Sequence, residues 1–255
     1  MDLQTAVVCH AGCVRGNNED NYYLQGQIRQ SVEELNTHAQ FAGPDVDALF
    51  AVADGMGGEA NGEFASLAAV QALRSCCLEK GRTAVSRCFS RANAVICREI
   101  ERTGQKMGST LATLYIDNRK ATVCNIGDSR VYLLRNNHLT QISTDHTQVQ
   151  QMVDLGILTL DEAKDHPNRH VLTQHLGIHE CDMIIQPTFS EELQLEAGDT
   201  FLLCSDGLTD MVKENVIQVV LSTGIPEAQA QELVDEALRN GGKDNVTVLV
   251  VKVTD

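Results

Sequence analysis

The chain has 255 residues and sets 35 Asp and Glu against 20 Lys and Arg, for a formal net charge of −15. Such acidity disfavours nucleic-acid partners, whose phosphates attract basic surface, and the absence of Trp leaves little for stacking bases. No tract reaches the roughly 18 apolar residues needed to span a bilayer, and the start Met1-Asp2-Leu3-Gln4 lacks the basic and apolar regions of a signal peptide. The expectation is a soluble, cytoplasmic, monomeric protein without nucleic-acid or membrane partners.

In chain order, residues 3 to 9 and 20 to 24 read as short strands, and the polar residues 25 to 47 as a long surface excursion. The run ALFAVA at 48 to 53 reads as a buried strand. Residues 60 to 79 and 83 to 102 have helical spacing, with Phe64, Leu67, Ala68, Val70 and Leu73 on one apolar face. Residues 110 to 117 and 120 to 126 form a hairpin about Asn118-Arg119, and 131 to 134 and 139 to 142 a second about Asn136-Asn137. Residues 146 to 180 are polar, His-rich and partly helical. A strand at 200 to 204, helices at 213 to 222 and 226 to 239, and a strand at 246 to 253 complete the chain. Strands, a helix pair, hairpins, a second helix pair and a last strand make an α+β fold with antiparallel sheets rather than a βαβ repeat. With no linker or internal repeat, 1–255 reads as a single domain.

Four aspartates share one context. Asp54 ends LFAVAD and precedes Gly55; Asp128 ends TVCNIGD; Asp206 ends FLLCSD and precedes Gly207; Asp244 opens the strand NVTVLVV. A single Asp-Gly after a strand is ordinarily a turn. Four aspartates at the edges of apolar strands can converge, and converged carboxylates repel unless a cation neutralises them. All-oxygen ligands suit Mg2+ or Mn2+. Near the N-terminus, Arg15 can grip a phosphate bidentately, and Glu19 and Asp20 can hold a metal or its waters.

The strings Arg15-x-x-Asn18-Glu19-Asp20, VADGMGG around Asp54, MGSTL from Met107, IGDSR around Asp128, CSDGL around Asp206 and GGKDNVTV around Asp244 resemble, in order, the motif set of the type 2C metal-dependent Ser/Thr protein phosphatases. The stretch from STDHTQ to LTQHLG is similar to the flap of the small bacterial members. The resemblance implies a four-layer α/β/β/α sandwich of two antiparallel sheets flanked by helix pairs, forming one catalytic domain with a flap subdomain at about 144–186. It implies hydrolysis of phosphoserine and phosphothreonine in proteins by a metal-activated water, reversing Ser/Thr kinase signalling. The implied partners are phosphorylated proteins and the opposing kinase. Two Mn2+ or Mg2+ ions are implied, with Asp54 bridging them and Asp206 and Asp244 completing the first. The Gly55 carbonyl would bind the second, with Glu19 or Asp20 directly or through water. Asp128, with Asp206, would hold a third, weaker ion, and Arg15 the substrate phosphate. The implied catalytic set is therefore Arg15, Asp54 and Asp128.

The chain departs from the family at Met56 and Glu59, where relatives carry a histidine that can protonate the leaving group. Three rival readings stand beside this one. The first is a dinucleotide site at Gly55-x-Gly57-x-x-Ala60, and the second a phosphatase-like module that only binds phosphoproteins. The third is a zinc site at His166, His170, His175 and His179, with Cys9-x-x-x-Cys13 and His10 the other metal-like spacing. The nine cysteines are expected as reduced thiols, with Cys124 and Cys204 as core residues.

Overall fold

A computed structural model describes residues 1–31, 33–57, 61–74 and 81–255. Glu59, Ala60 and Cys76-Cys77 lie outside the described residues. The elements are β1 (Asp2–His10), β2 (Asn21–Leu24), β3 (Thr37–Pro44), β4 (Ala48–Ala53), β5 (Gly55–Met56), α1 (Asn61–Arg74), α2 (Arg82–Thr103), β6 (Gly108–Ser109), β7 (Leu111–Asp117), β8 (Lys120–Ile126), β9 (Arg130–Arg135) and β10 (His138–Gln141). There follow α3 (Gln148–Asp154), α4 (Leu160–Lys164), β11 (Thr188–Phe189), β12 (Leu193–Gln194), β13 (Thr200–Cys204), α5 (Asp206–Thr209), α6 (Glu214–Leu221), α7 (Pro226–Arg239) and β14 (Val246–Thr254).

Two large sheets form, one in the order β10-β9-β13-β14-β1-β3 and the other β11-β8-β7-β4-β2, with β12 also on β8. Every pairing within them is antiparallel. The sheets face each other across a core of Leu3, Val7, Phe50, Val52, Leu114, Phe201, Leu249 and Val251. On the outside of the second sheet, Leu49, Ala51 and Ala53 pack with Val70, Leu73, Phe89 and Ile96 of α1 and α2. On the outside of the first, Val246, Val248 and Val250 pack with Ile217, Leu221, Leu233 and Val234 of α6 and α7. The result is the four-layer α/β/β/α sandwich. Central strands bury both faces, which is why ALFAVA is apolar without a break and VTVLVV is interrupted only by buried Thr247. Odd and even residues go to different cores because side chains alternate across a strand.

The hairpins turn as their sequences require. Asn118 and Arg119 take φ of 50° and 65°, and Asn136 and Asn137 take 51° and 60°, the left-handed pair whose twist suits a two-residue hairpin loop. The first α-helix of the 146–180 stretch is capped by the Thr147 hydroxyl, and the second by a Thr159–Glu162 capping box.

Several expectations need correction. The excursion at 25–47 is not wholly irregular: β3 pairs along β1 from Asp2↔Pro44 to Cys9↔Thr37. It is an edge strand with alternating half-buried and exposed residues, so it lacks the apolar run by which a central strand announces itself. The two-residue strands β5, β6, β11 and β12 and the one-turn α5 are too short to leave any periodicity. The dinucleotide reading fails because β4 pairs antiparallel with β2 and β7, and α1 leads into α2 rather than to a parallel strand. Cys9, Cys13, Cys97, Cys124, Cys181 and Cys204 are free thiols, with Cys124 and Cys204 buried, whereas Cys88 is disulfide-bonded.

Phe50 is fully buried between the sheets. Phe50→Ala is expected to cost about 3–5 kcal/mol in urea unfolding, while Val219→Ala on the exposed face of α6 should stay within about 0.5 kcal/mol. Equal effects would contradict the layer assignment.

Candidate active site and metal centre

The strand register carries the acidic residues to one end of the sandwich. Asn21 lies opposite Ala53, so Asp20 and Asp54 leave neighbouring strands side by side. Val52 lies opposite Ala112 and Leu111 opposite Ile126, which brings the turn bearing Asp128 to the same end. In the other sheet, Cys204 lies opposite Val248 and His10 opposite Val246. Asp206, Asp244 and the loop of Arg15 therefore emerge there too. The glycines after two of these aspartates serve the convergence. A Cβ on Gly55 would overlap the carbonyl oxygens of Gly62 and Glu19, and one on Gly207 that of Asn245. Only glycine lets these backbones approach so closely.

The convergence shows in the electrostatics. Asp54 is pushed well above the ordinary carboxylate range of 3.8, first by burial and then by Asp20, Asp206, Asp128 and Asp244. Asp20 rises to about 7 through burial and the charges of Asp206 and Asp244, against the two hydroxyls bonded to it. Asp128 rises to about 8 through burial, Asp206 and Asp145, with Arg130 opposing.

Side chains from the same motifs brace these carboxylates. The Asp54 amide donates to Thr110 Oγ1 at 2.9 Å, and its carbonyl accepts from Thr110 N at 2.9 Å and Ser109 Oγ at 3.0 Å. Thr110 Oγ1 meets Ser129 Oγ at 2.6 Å. Ser205 and Thr247 each donate a hydroxyl to Asp20 Oδ2 at 2.7 Å. Arg130 forks onto Asp145 behind the Asp128 turn, at 2.7–3.1 Å. Asn245 ties the Arg15 loop down, donating to the carbonyls of Ala11 and Asn17 and accepting from the Glu19 amide.

Arg15 lies at the rim, with Nη2 2.7 Å from Asp244 Oδ2 and both side chains partly exposed. Its pKa is raised by that bond, with Glu19 and Asp54 adding to the attraction. Glu19 is bridged to buried Glu63 by Asn17 Nδ2, at 3.1 and 3.0 Å, and its pKa is raised first by burial. Glu63 went unnoticed in the sequence because it reads as an ordinary acidic residue in a first helical turn.

His170 was also missed as part of this centre. Its Nδ1 is 3.5 Å from Asp206 Oδ2 and its Nε2 3.2 Å from Asp210 Oδ2. Ligand atoms of Asp128, His170 and Asp206 all lie within 4.8 Å of one another. The zinc reading grouped His170 with the wrong partners. His166 accepts from the Asn168 amide, His175 contacts the Leu176 carbonyl, and His179 faces Glu101. Likewise Cys9 is held by Asn18 and Thr247, and His10 accepts from the Gly12 amide. Among the described residues neither set brings three metal-ligating atoms together, as Asp128, His170 and Asp206 do.

The donor set fits hard divalent cations. Asp20 Oδ1 is buried with no hydrogen-bond partner among the described residues, and a buried carboxylate oxygen without one is costly. Desolvation first, and then four neighbouring carboxylates, raise the pKa of Asp54, and a divalent cation would offset both.

The sign of the pH effect follows. A folded-state pKa of about 7 or 8 against an ordinary 3.8 means the folded chain holds protons that the unfolded chain releases. The stabilisation is full below about pH 4 and is lost as pH rises through these values. In chelator, the melting temperature should fall between about pH 5 and pH 8, and Mn2+ should raise it most at the upper end. Asp54→Asn removes one repelling charge and should flatten that slope; an unchanged slope would show that the carboxylates do not interact.

A sequence model described as protein phosphatase 2C matches residues 37–240. The serine/threonine protein phosphatase PstP of Mycobacterium tuberculosis is 38% identical over 263 residues, covering 99% of this chain and 45% of that protein. The chain thus spans about half the length of that relative. Protein phosphatase PhpP of Streptococcus pneumoniae is 35% identical over 264 residues, covering 99% of this chain and 98% of that one. Among solved structures, the Mycobacterium tuberculosis phosphatase PstP/Ppp matches with a TM-score of 0.85 at 35% identity, covering 100% of both chains. The PstP catalytic domain in complex with 2 manganese ions matches at 0.81 and 33% identity, also over 100% of both. The matching region and the overall likeness agree with the order of motifs along the strands: the chain belongs to the protein phosphatase 2C family.

Proposed function

We propose that this chain hydrolyses phosphoserine and phosphothreonine in proteins in a divalent-metal-dependent reaction. The observation that carries this reading is the gathering of Asp20, Asp128, Asp206 and Asp244 around Asp54. Residues 1–255 act as one catalytic domain, and 144–186, containing α3 and α4, as its flap. Asp54 would serve two cations, with Asp206 and Asp244 helping to hold one and the Gly55 carbonyl with Glu19 or Asp20 the other. Mn2+ or Mg2+ held there supplies charge neutralisation and an activated nucleophile.

The chain's own groups orient the phosphoryl group. Arg15 uses one N–H on Asp244 and has further donors for phosphate oxygens. Asp128, His170 and Asp206 form a third, weaker cation position, supported by their mutual approach within 4.8 Å. His170 brings an imidazole to the centre by another route than the positions of Met56 and Glu59. The partners of such an activity are Ser/Thr-phosphorylated proteins and the kinase whose work is reversed, with the chain acting as a cytoplasmic monomer in signalling. Among the described residues no helix is long and apolar enough to cross a membrane.

Phosphate release from a phosphothreonine peptide should vanish in excess chelator and return with Mn2+; full activity in chelator would overturn the reading. Asp244→Asn should lower turnover by on the order of 10²-fold. Arg15→Ala should chiefly raise KM, and Arg15→Lys should restore it only in part, since an ammonium cannot bind bidentately.

The third position has its own test. Asp128→Ala and His170→Ala should each retain two tightly bound Mn2+ ions by calorimetry while losing the weak one. Turnover should fall more on the phosphothreonine peptide than on p-nitrophenyl phosphate, whose leaving group needs little protonation. Unchanged stoichiometry in both variants would remove this position.

A further inference from the structure

The excursion at 25–47 sends a cation into the protein interior beside the metal-bearing loop. Arg29 is 2% exposed. Its Nε donates to the Asp20 carbonyl at 3.0 Å and its Nη2 to the Asn18 carbonyl. Its Nη1 donates to the carbonyls of Ser31 at 3.2 Å and Glu34 at 3.3 Å. Among the described residues no carboxylate pairs with this guanidinium. The backbone of Arg29 is itself seated on the side chain of Asn21, its N–H donating to Oδ1 and its carbonyl accepting from Nδ2, both at 3.1 Å. Two further bonds tie the excursion to the same loop, Asn18 Nδ2 to the Leu35 carbonyl at 2.8 Å and Ala11 N to Asn36 Oδ1 at 3.0 Å.

A buried guanidinium is costly unless its donors are met, and it is a rigid fork that fixes the groups it binds relative to one another. Here two of those groups are the peptide carbonyls on either side of Glu19, at Asn18 and Asp20. The carboxylates of Glu19 and Asp20 hang from the segment so clamped, while Asn245 holds it from the opposite side through the Glu19 amide and the Asn17 carbonyl. We propose that Arg29 is a positioning residue of the metal centre: through the carbonyls of Asn18 and Asp20 it sets where Glu19 and Asp20 present their carboxylates, which makes the excursion part of the catalytic architecture. This inference rests on the reading of the site as a divalent-metal centre.

The test is calorimetric titration of Mn2+ into chelator-stripped wild type, Arg29→Lys, Asn21→Ser and Gln27→Ala, each also melted and assayed on p-nitrophenyl phosphate. Arg29→Lys keeps the charge but loses the fork, and Asn21→Ser loosens the seat while keeping the cation. Both should bind Mn2+ about tenfold more weakly, the scale on which outer partners of metal ligands act. The Mn2+ concentration for half-maximal activity should rise by the same factor, with most turnover regained at saturating metal. Gln27→Ala, exposed in the excursion and outside the clamp, should keep wild-type affinity. An Mn2+ affinity within twofold of wild type in Arg29→Lys, or in Asn21→Ser where the lysine variant does not fold, would overturn the positioning role and leave the metal centre standing. Failure of the wild type to bind Mn2+ would overturn both.

Discussion

Repulsion among the carboxylates of Asp20, Asp54, Asp128, Asp206 and Asp244 is the force against which this end of the sandwich is built. Asp54 feels the other four, and its acidity is weakened accordingly. Holding such a cluster together needs a scaffold that does not relax, and the scaffold is the pair of sheets. Their facing cores of Phe50, Leu114, Phe201 and Leu249 are packed on both outer faces by helices. Close-packed interiors transmit strain rather than yield to it. Each aspartate leaves a strand buried on both sides and has little freedom to withdraw.

A second layer converts that rigid frame into fixed side-chain directions. Ser109 and Thr110 hold the peptide units of Asp54, with Ser129 bonded in turn to the Thr110 hydroxyl, and Ser205 and Thr247 hold one oxygen of Asp20 while the other has no partner among the described residues. These hydroxyls are short and buried, so their bonds cost little side-chain entropy. A Ser or Asn stands beside four of these aspartates, at Asn21, Ser129, Ser205 and Asn245, whereas Asp54 is flanked by Ala53 and Gly55.

The segment 144–186 contributes differently. Its helices are small and capped locally, and Leu155, Ile157 and Leu160 stand exposed, so little core anchors it. From this lightly held element comes His170, half-exposed over Asp206 and Asp210. His170 thus reaches Asp206 from a lightly packed segment, whereas the aspartates stand at the ends of buried strands.

Much of this was legible in the chain itself. Apolar runs such as ALFAVA and VLVV report strands buried on both faces, and Asn118-Arg119 and Asn136-Asn137 report left-handed turns, because these are local properties of backbone and burial. The aspartates at strand ends were legible for the same reason, each marked by its own run. Tertiary structure alone decided the rest. The strand β3 has one half-covered face and no apolar signal, so its existence depends on β1 lying beside it. Glu63 and Arg29 look like surface charges until folding buries them against Asn17 and against the carbonyls of Asn18 and Asp20. His170 repeats at the spacing of three other histidines, and only the path of the flap separates it from them and sets it beside Asp128 and Asp206. Local sequence determines which residues can bear charge at a strand end; which charges then meet depends on contacts between residues far apart along the chain, Asp20 with Asp54 and Asp54 with Asp244 among them, and those exist only in the folded chain.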